Sequence, residues 1–342
     1  MDLYSVLIFC ILFLIQILGL YVFVRYAHRL GLSDKPNLRS SHDYAVVRGG
    51  GIIFGLSWLA GCLIQGTAFT VFNLGLILLM VIGLWDDIRG LSSFVRLIVQ
   101  FFSVFLLALH FDFIVVFGLL WTGLLILIFT YLINVFNFMD GINGILGLYA
   151  LTVLALLFHD GFALDGHSYP FVFLVFSLFS FLFYNLRSKA KVFSGDVGSL
   201  SISYLLIGGL VNMLLEDRTY IPGFQFMLLI LLPVSIFFMD SFTTILHRLW
   251  IRENIFQSHR FHLYQIITPG DSTKPNLCNS LTMTYTGKLM TGIQFDKGTI
   301  TYPLKDLIVG WQIAVPLIGK GGKIKMVIPS SLAYGPNANG SI

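Results

Sequence analysis

Apolar side chains fill most of the chain before residue 267 in long runs, and short polar or glycine-bearing segments punctuate them. A helix needs ~20 residues to cross the hydrocarbon core. Counting such runs predicts nine membrane-spanning helices, near 3–24, 51–66, 68–84, 95–110, 117–136, 143–159, 169–186, 198–215 and 224–246. The second run is short and only Gly66 and Thr67 part it from the third, which predicts a tight helical hairpin. The segment from Met1 to Cys10 lacks the basic flank and small-residue cleavage site of a signal peptide, so the first span is expected to be retained. Near Pro269 the pattern changes: from Asp271 to Ile342 polar and apolar positions alternate among Gly, Pro and Lys, as in a small soluble β-rich domain. The sequence therefore predicts an all-α polytopic membrane part, residues 1–267, followed by a second domain, residues 271–342.

Composition agrees. The 342 residues are 56% hydrophobic and only 11% charged, with a mean hydropathy of +0.85, which excludes a disordered or ordinary water-soluble chain. No glycine period marks a collagen. Cys10, Cys62 and Cys278 are scattered, offering neither a disulfide scaffold nor a metal or redox pair.

Charge matters here through its placement. The loops at 25–50, 85–96, 137–142, 187–197 and 247–265 hold thirteen Lys and Arg residues, whereas the alternate set holds only Arg218. The positive-inside bias then places the first set in the cytoplasm, the N-terminus outside and the C-terminal domain inside. Asp86, Asp87, Asp140 and Asp196 all fall in or beside these same loops, far apart in sequence. Solvation explains any one of them. As a group, ionisable residues at a membrane boundary are costly and mark a pathway or a site.

Each loop offers a chemical reading and a plainer one. Arg48-Gly49-Gly50-Gly51 precedes the second span, where backbone N–H groups could receive a phosphate; helix packing or a turn explains the glycines equally. Asp86-Asp87 is an expensive pair unless a cation or a proton shares it, or it is an interfacial acidic cap. Asn134, Asn137 and Asp140 stand at i, i+3 and i+6 on one helical face, suited to a sugar or nucleotide, or to amide packing between helices. Asp196, within Phe193-Ser194-Gly195-Asp196-Val197-Gly198-Ser199, would let Mg²⁺ bridge a carboxylate and a diphosphate. His247, Arg248, Arg252, His259, Arg260 and His262 gather cationic groups after the last span, as pyrophosphate binding requires.

Together Trp85-Asp86-Asp87, Asn137-Phe138-Met139-Asp140-Gly141, Gly195-Asp196-Val197-Gly198-Ser199 and His259-Arg260-Phe261-His262-Leu263-Tyr264-Gln265 resemble the polyprenyl-phosphate N-acetylhexosamine-1-phosphate transferase superfamily, over residues 25–265. The last phrase resembles the subgroup that initiates O-antigen and related polysaccharides. Val47 departs from a common Pro and Asn143 from a common Asp. The resemblance implies a bacterial inner-membrane enzyme facing the cytoplasm, using a UDP-N-acetylhexosamine and undecaprenyl phosphate as substrates and Mg²⁺ or Mn²⁺ as cofactor. It implies Asp196 as metal ligand, Asp86 and Asp87 as metal ligands or proton acceptors, Asp140 and Asn137 toward the nucleotide or metal shell, and Arg48 and Asn134 as further substrate-binding residues. His259, Arg260 and His262 would meet diphosphate or sugar. Nucleic acid is not expected as a partner; a homodimer is left open.

Leu281 to Asp296, Leu307 to Trp311 and Ile328 to Gly335 resemble the FKBP-type peptidyl-prolyl isomerases, over about 275–342. That resemblance implies a small α+β domain whose antiparallel sheet wraps a helix, with Tyr285, Phe295, Asp296, Ile308, Trp311 and Tyr334 lining a proline pocket. Without it, an ordinary aromatic core is the plainer reading. The short Lys297–Thr301 stretch and the ending at Ile342 lead to the expectation of an incomplete domain joined to a shortened transferase half. Two rivals stay open: a secondary transporter, which would place charge nearer the midplane, and a membrane-anchored isomerase with a vestigial transferase half.

Overall fold

The computed structural model describes residues 3–34, 46–159, 168–187, 189–216, 222–250, 267–268, 273–288, 294–324 and 326. Its contacts divide the chain into two compact units, Met1–Ser258 and His259–Ile342. The division falls ahead of the 267–271 joint suggested by composition.

In the first unit every apolar run is helical. The helices are α1 (Leu3–Tyr26), α2 (Ile52–Gln65), α3 (Val71–Arg89), α4 (Ser93–His110), α5 (Phe113–Met139), α6 (Ile145–His159), α7 (Ser168–Asn185), α8 (Gly195–Glu216), α9 (Gly223–Leu231) and α10 (Ser235–Trp250). Two short strands, β1 (Ser33–Asp34) and β2 (Val46–Val47), pair antiparallel between α1 and α2. Among the described residues α3, α4, α5 and α8 are long and apolar enough to cross a membrane, and α9 with α10 would make a fifth crossing. Among the described residues the apolar stretches Ile11–Tyr26, Ile52–Gln65, Ile145–Leu157 and Tyr169–Asn185 are shorter, so four or five of the nine expected spans meet the length and composition needed.

The ninth run is not one straight span, because α9 and α10 meet at 96°. Pro233 stands at the break. It has no N–H to donate and its ring clashes with the carbonyl one turn back. The Tyr149 hydroxyl donates to the Pro233 carbonyl at 2.7 Å, and the Tyr149 ring stacks on Phe237 at 3.9 Å. The hairpin expected at Gly66-Thr67 is present. Gly66 ends α2 at φ +78° and the Thr70 hydroxyl caps α3 by accepting from the Asn73 N–H. Asn73 closes the turn, accepting from Trp58 Nε1 at 3.0 Å and donating to the carbonyls of Thr67 and Ala68.

The packing is that of a membrane protein, with apolar side chains on the outward faces as well as in the interior. Over its crossing window α8 is 83% buried, against 33% for α4 and α5, and it packs against α2, α3, α5 and α6. Ser199, Ser201 and Ser203 line this central helix at 0% exposure. The Ser201 and Ser203 hydroxyls donate to carbonyls of their own helix, which keeps buried donors paired. Large apolar groups such as Val115, Leu119 and Leu120 point outward. Lipid tails are as apolar as leucine, so close backbone approach and paired polar groups bind these helices together.

In the second unit β3 (Ile267–Thr268) pairs with β6 (Lys323–Ile324), and β4 (Ser280–Lys288) pairs with β5 (Gln294–Pro303), both antiparallel. The β4–β5 register runs from Ser280 opposite Pro303 to Gly287 opposite Asp296, then shifts at Lys288. A short helix, α11 (Val309–Ala314), follows. Leu304, Val315 and Ile318 are buried.

Candidate functional site

The site begins as a main-chain ladder between two loops. Val47 bridges Val192 in parallel, the Phe193 N–H donates to the Val47 carbonyl, and the Gly50 and Gly51 N–H groups donate to Phe193 and Ser194. These two glycines are therefore packing positions. Their N–H groups are committed to carbonyls, and a Cβ on Gly51 would lie 2.3 Å from the Gly198 Cα. The phosphate-cradle reading of Gly50 and Gly51 gives way to close backbone approach, and the ladder carries Arg48 to the mouth of α8.

Asp86 and Asp87, expected just beyond the third span, form the last turns of α3. Acidic groups at a helix C-terminus oppose the macrodipole, so they need cationic or N–H partners. Asp87 finds them at the N-terminus of α8: its carboxylate accepts from the N–H groups of Asp196 at 3.0 Å and Val197 at 3.1 Å. Arg48 Nε lies 3.2 Å from Asp87 Oδ1, and Arg48 Nη2 lies 3.7 Å from Asp196 Oδ1. Asp86 accepts from the Leu91 N–H. Arg96, in the first turn of α4, places one nitrogen 2.9 Å from Asp86 Oδ2 and 2.6 Å from Asp196 Oδ2. Its Nε is buried without a partner.

Asp140 stands at the end of α5 and accepts from the Ser194 hydroxyl. Burial pushes its carboxyl up to about 6, aided by Asp87 and opposed by Ser194 and Arg48. Asn137 accepts from the Ser199 hydroxyl at 2.8 Å. Asn134 donates to Gln100 at 2.6 Å and to the Thr130 carbonyl at 2.9 Å, which is the amide packing weighed against ligand binding. Asn185 accepts from the Gly144 N–H and donates to the Val192 carbonyl, tying the α5–α6 loop to the α7–α8 loop.

The structure thus brings Arg48, Asp86, Asp87, Asn137, Asp140 and Asp196 to one place and leaves Asn134 in a pair with Gln100. His259, Arg260 and His262 lie outside the described residues. Sequence reading missed Arg96, Gln100, Ser194 and Asn185. Arg96 carried a usable signal, a guanidinium at the edge of an apolar run where charge is costly.

Four carboxylates face two guanidinium groups, an excess of two negative charges when all are ionised. The Mg²⁺ implied by the resemblance fits that deficit and the hard oxygen donors. Among the described residues no three acidic, imidazole or thiol side chains form a ready cage. Mg²⁺ does not require one, because it keeps several waters and takes one or two carboxylates plus substrate phosphates.

In the second unit the Tyr285 hydroxyl donates to Asp296 and the Tyr285 ring meets Trp311 edge to face at 5.3 Å. Phe295 is partly exposed and its ring lies against Gly287. Ile308 stands just ahead of α11, its carbonyl accepting from the Trp311 N–H, and Tyr334 lies outside the described residues.

Residues 69–214 match the glycosyl transferase family 4 profile, and residues 271–342 match that of FKBP-type peptidyl-prolyl cis-trans isomerase. A relative named probable undecaprenyl-phosphate N-acetylglucosaminyl 1-phosphate transferase, from Bacillus subtilis (strain 168), is 29% identical over 266 residues, 70% of each chain. The FKBP-type peptidyl-prolyl cis-trans isomerase FkpA of Buchnera aphidicola subsp. Schizaphis graminum is 42% identical over 81 residues, 22% of this chain and 32% of its own. That of Aeromonas hydrophila is 38% identical over 84 residues, 23% and 31% of the two chains. The chain therefore spans under a third of the length of these isomerases.

Proposed function

We propose, for a chain that carries a glycosyl transferase family 4 region followed by an FKBP-type region, that the membrane part transfers an N-acetylhexosamine 1-phosphate from a UDP-sugar to undecaprenyl phosphate. UMP leaves, and the product begins a lipid-linked envelope polysaccharide. The observation that supports this best is the gathering of Asp86, Asp87, Asp140 and Asp196 with Arg48 and Arg96 around the N-terminus of α8.

In the proposed reaction a phosphate oxygen of the lipid attacks the sugar-linked phosphorus, a new P–O bond forms, and the bridging P–O bond to UMP breaks. Such transfer depends on alignment and charge neutralisation. A bound Mg²⁺ would supply charge neutralisation on the diphosphate. Asp196 and Asp86 are the residues proposed to hold it, while Arg48 and Arg96 face the incoming phosphates. Asp140 and Asn137, steadied by Ser194 and Ser199, are proposed to meet the nucleotide. The Lys and Arg bias of the loops supports a cytoplasmic site in a bacterial inner membrane. The test is incubation of protein-containing membranes with undecaprenyl phosphate, Mg²⁺ and a panel of UDP-N-acetylhexosamines. UMP formation with at least one donor is expected; uptake of labelled donor without UMP would favour transport.

Arg260, with His259 and His262, is proposed to bind the diphosphate. Arg260→Ala is expected to lower kcat/KM for the UDP-sugar about 100-fold, and Arg260→Lys to recover only part, because a point charge does not reproduce a planar fork. Equal kinetics of the two variants would argue against bidentate contact.

The edge-to-face contact of Tyr285 with Trp311 and the Tyr285–Asp296 hydrogen bond favour a second reading for the C-terminal unit, a pocket for a prolyl peptide. The full chain is expected to bind a proline-containing peptide, and Trp311→Ala to weaken that binding at least about tenfold through loss of an aromatic pocket wall. Unchanged binding in the variant would place the peptide elsewhere.

A further inference from the structure

We propose that Asp87 is a positioning residue: its carboxylate is the N-cap of α8, supplied from α3, and it holds Asp196 in place without touching the reacting groups. The inference rests on the proposed function only in taking Asp196 to serve the reaction.

The first N–H groups of a helix have no acceptor within it. A serine just ahead of a helix normally supplies one. Here Ser194 stands just ahead of α8, but its hydroxyl is turned to Asp140. The N–H groups of Asp196 and Val197 donate instead to the two oxygens of Asp87, from 109 and 110 residues away. A carboxylate suits that place, since the helix N-terminus favours negative charge.

The surroundings make room for this cap. Gly195 has φ +70°, and a Cβ there would lie 2.3 Å from Asp87 Oδ2 and 2.7 Å from the Gly49 nitrogen. One helical turn before Asp87, a Cβ on Gly83 would lie 2.6 Å from the Val197 Cα. The two glycines thus let α3 and its carboxylate reach the start of α8. Arg48 Nε balances the charge at 3.2 Å. The Asp87 side chain is 0% exposed, whereas those of Asp86 and Asp196 retain 9% and 10%. A proton acceptor must come within hydrogen-bond reach of its substrate, and of the three Asp87 is the one sealed off.

The experiment is hydrogen exchange at residues 195–198 of the full chain in detergent, combined with Mn²⁺ binding in the presence of UDP, followed by electron paramagnetic resonance. In the unsubstituted protein the Asp196 and Val197 amides are expected to be protected to the same degree as those of 200–206. Free exchange there would overturn the proposal even before any variant is made. Asp87→Asn keeps the shape but turns an N–H toward an N–H, so exchange at Asp196 and Val197 should quicken about 10- to 100-fold, with 200–206 unchanged. Mn²⁺ affinity should fall at least about tenfold, an effect that loss of folded protein would not produce. Asp196→Asn should abolish Mn²⁺ binding and leave the exchange as it was. Should Asp87→Asn leave both exchange and Mn²⁺ affinity intact while activity disappears, Asp87 touches the reactants and the proposal fails. If the unsubstituted chain binds no Mn²⁺, the metal reading of the site falls and the exchange result decides the cap.

Discussion

Asp196→Asn is expected to reduce the proposed phosphosugar transfer on the order of 1,000-fold, the size of several kcal/mol of lost charge stabilisation if the site is the metal-assisted phosphoryl centre proposed above. The amide keeps the outline of the side chain and one acceptor for Arg96, so the helix and its cap should persist. What disappears is the negative charge at the head of α8, between Arg96 at 2.6 Å and Arg48 at 3.7 Å. Turnover should be measured at saturating donor and over a range of Mg²⁺, beside a chelator control on the unsubstituted protein. Full activity of the variant, or indifference of the enzyme to chelator, would take Asp196 out of the role.

Gly51→Ala is expected to damage both stability and activity. The added Cβ would stand 2.3 Å from the Gly198 Cα and 3.0 Å from the Ser194 carbonyl oxygen. Both are backbone atoms, and they cannot swing aside as a side-chain tip can. The cost belongs at the upper end of overpacking, about 3 kcal/mol or more. Relief would come by parting the 46–51 segment from the 192–198 segment, which moves Arg48 away from Asp87 and Asp196. A displacement near 1 Å is worth ~100-fold in rate. Thermal unfolding in detergent and turnover per folded molecule check the two effects separately. Unsubstituted values for both would mean that these loops do not approach so closely.

The apolar runs were enough to place the helices because a run long enough to approach a bilayer crossing has few other uses. The 51–66 run became Ile52–Gln65, and the 117–136 run became Phe113–Met139 with non-helical backbone at Gly118. The 68–84 run was read too short, since Asp86 and Asp87 looked like the end of a helix that continues to Arg89. Local apolarity also hid the bend at Pro233: hydrophobicity reports burial or lipid contact and says nothing of direction.

The four acidic positions of the site were legible because charge beside a membrane helix is costly enough to stand out. Their partners were not. In lipid the outward face of a helix is as apolar as the inward one, so no periodicity shows which faces meet. The pairing of Asp87 with α8, of Arg96 with Asp196 and of Asn134 with Gln100 exists only once α3, α4, α5 and α8 are packed. The glycines were ambiguous for a related reason. A backbone N–H offered to a phosphate and one committed to a carbonyl look alike in sequence, and the ladder of Gly50 and Gly51 with Phe193 and Ser194 decides between them.

Sugar transfer and phosphosugar transfer differ in the fate of one atom, the phosphorus linked to the sugar. A UDP-N-acetylhexosamine radiolabelled at that phosphorus, incubated with the purified chain, undecaprenyl phosphate and Mg²⁺, follows it directly. Label passing into the lipid phase in step with unlabelled UMP is the result expected from the arrangement around Asp196. Label remaining in water as UDP, or no turnover with any donor, would contradict it.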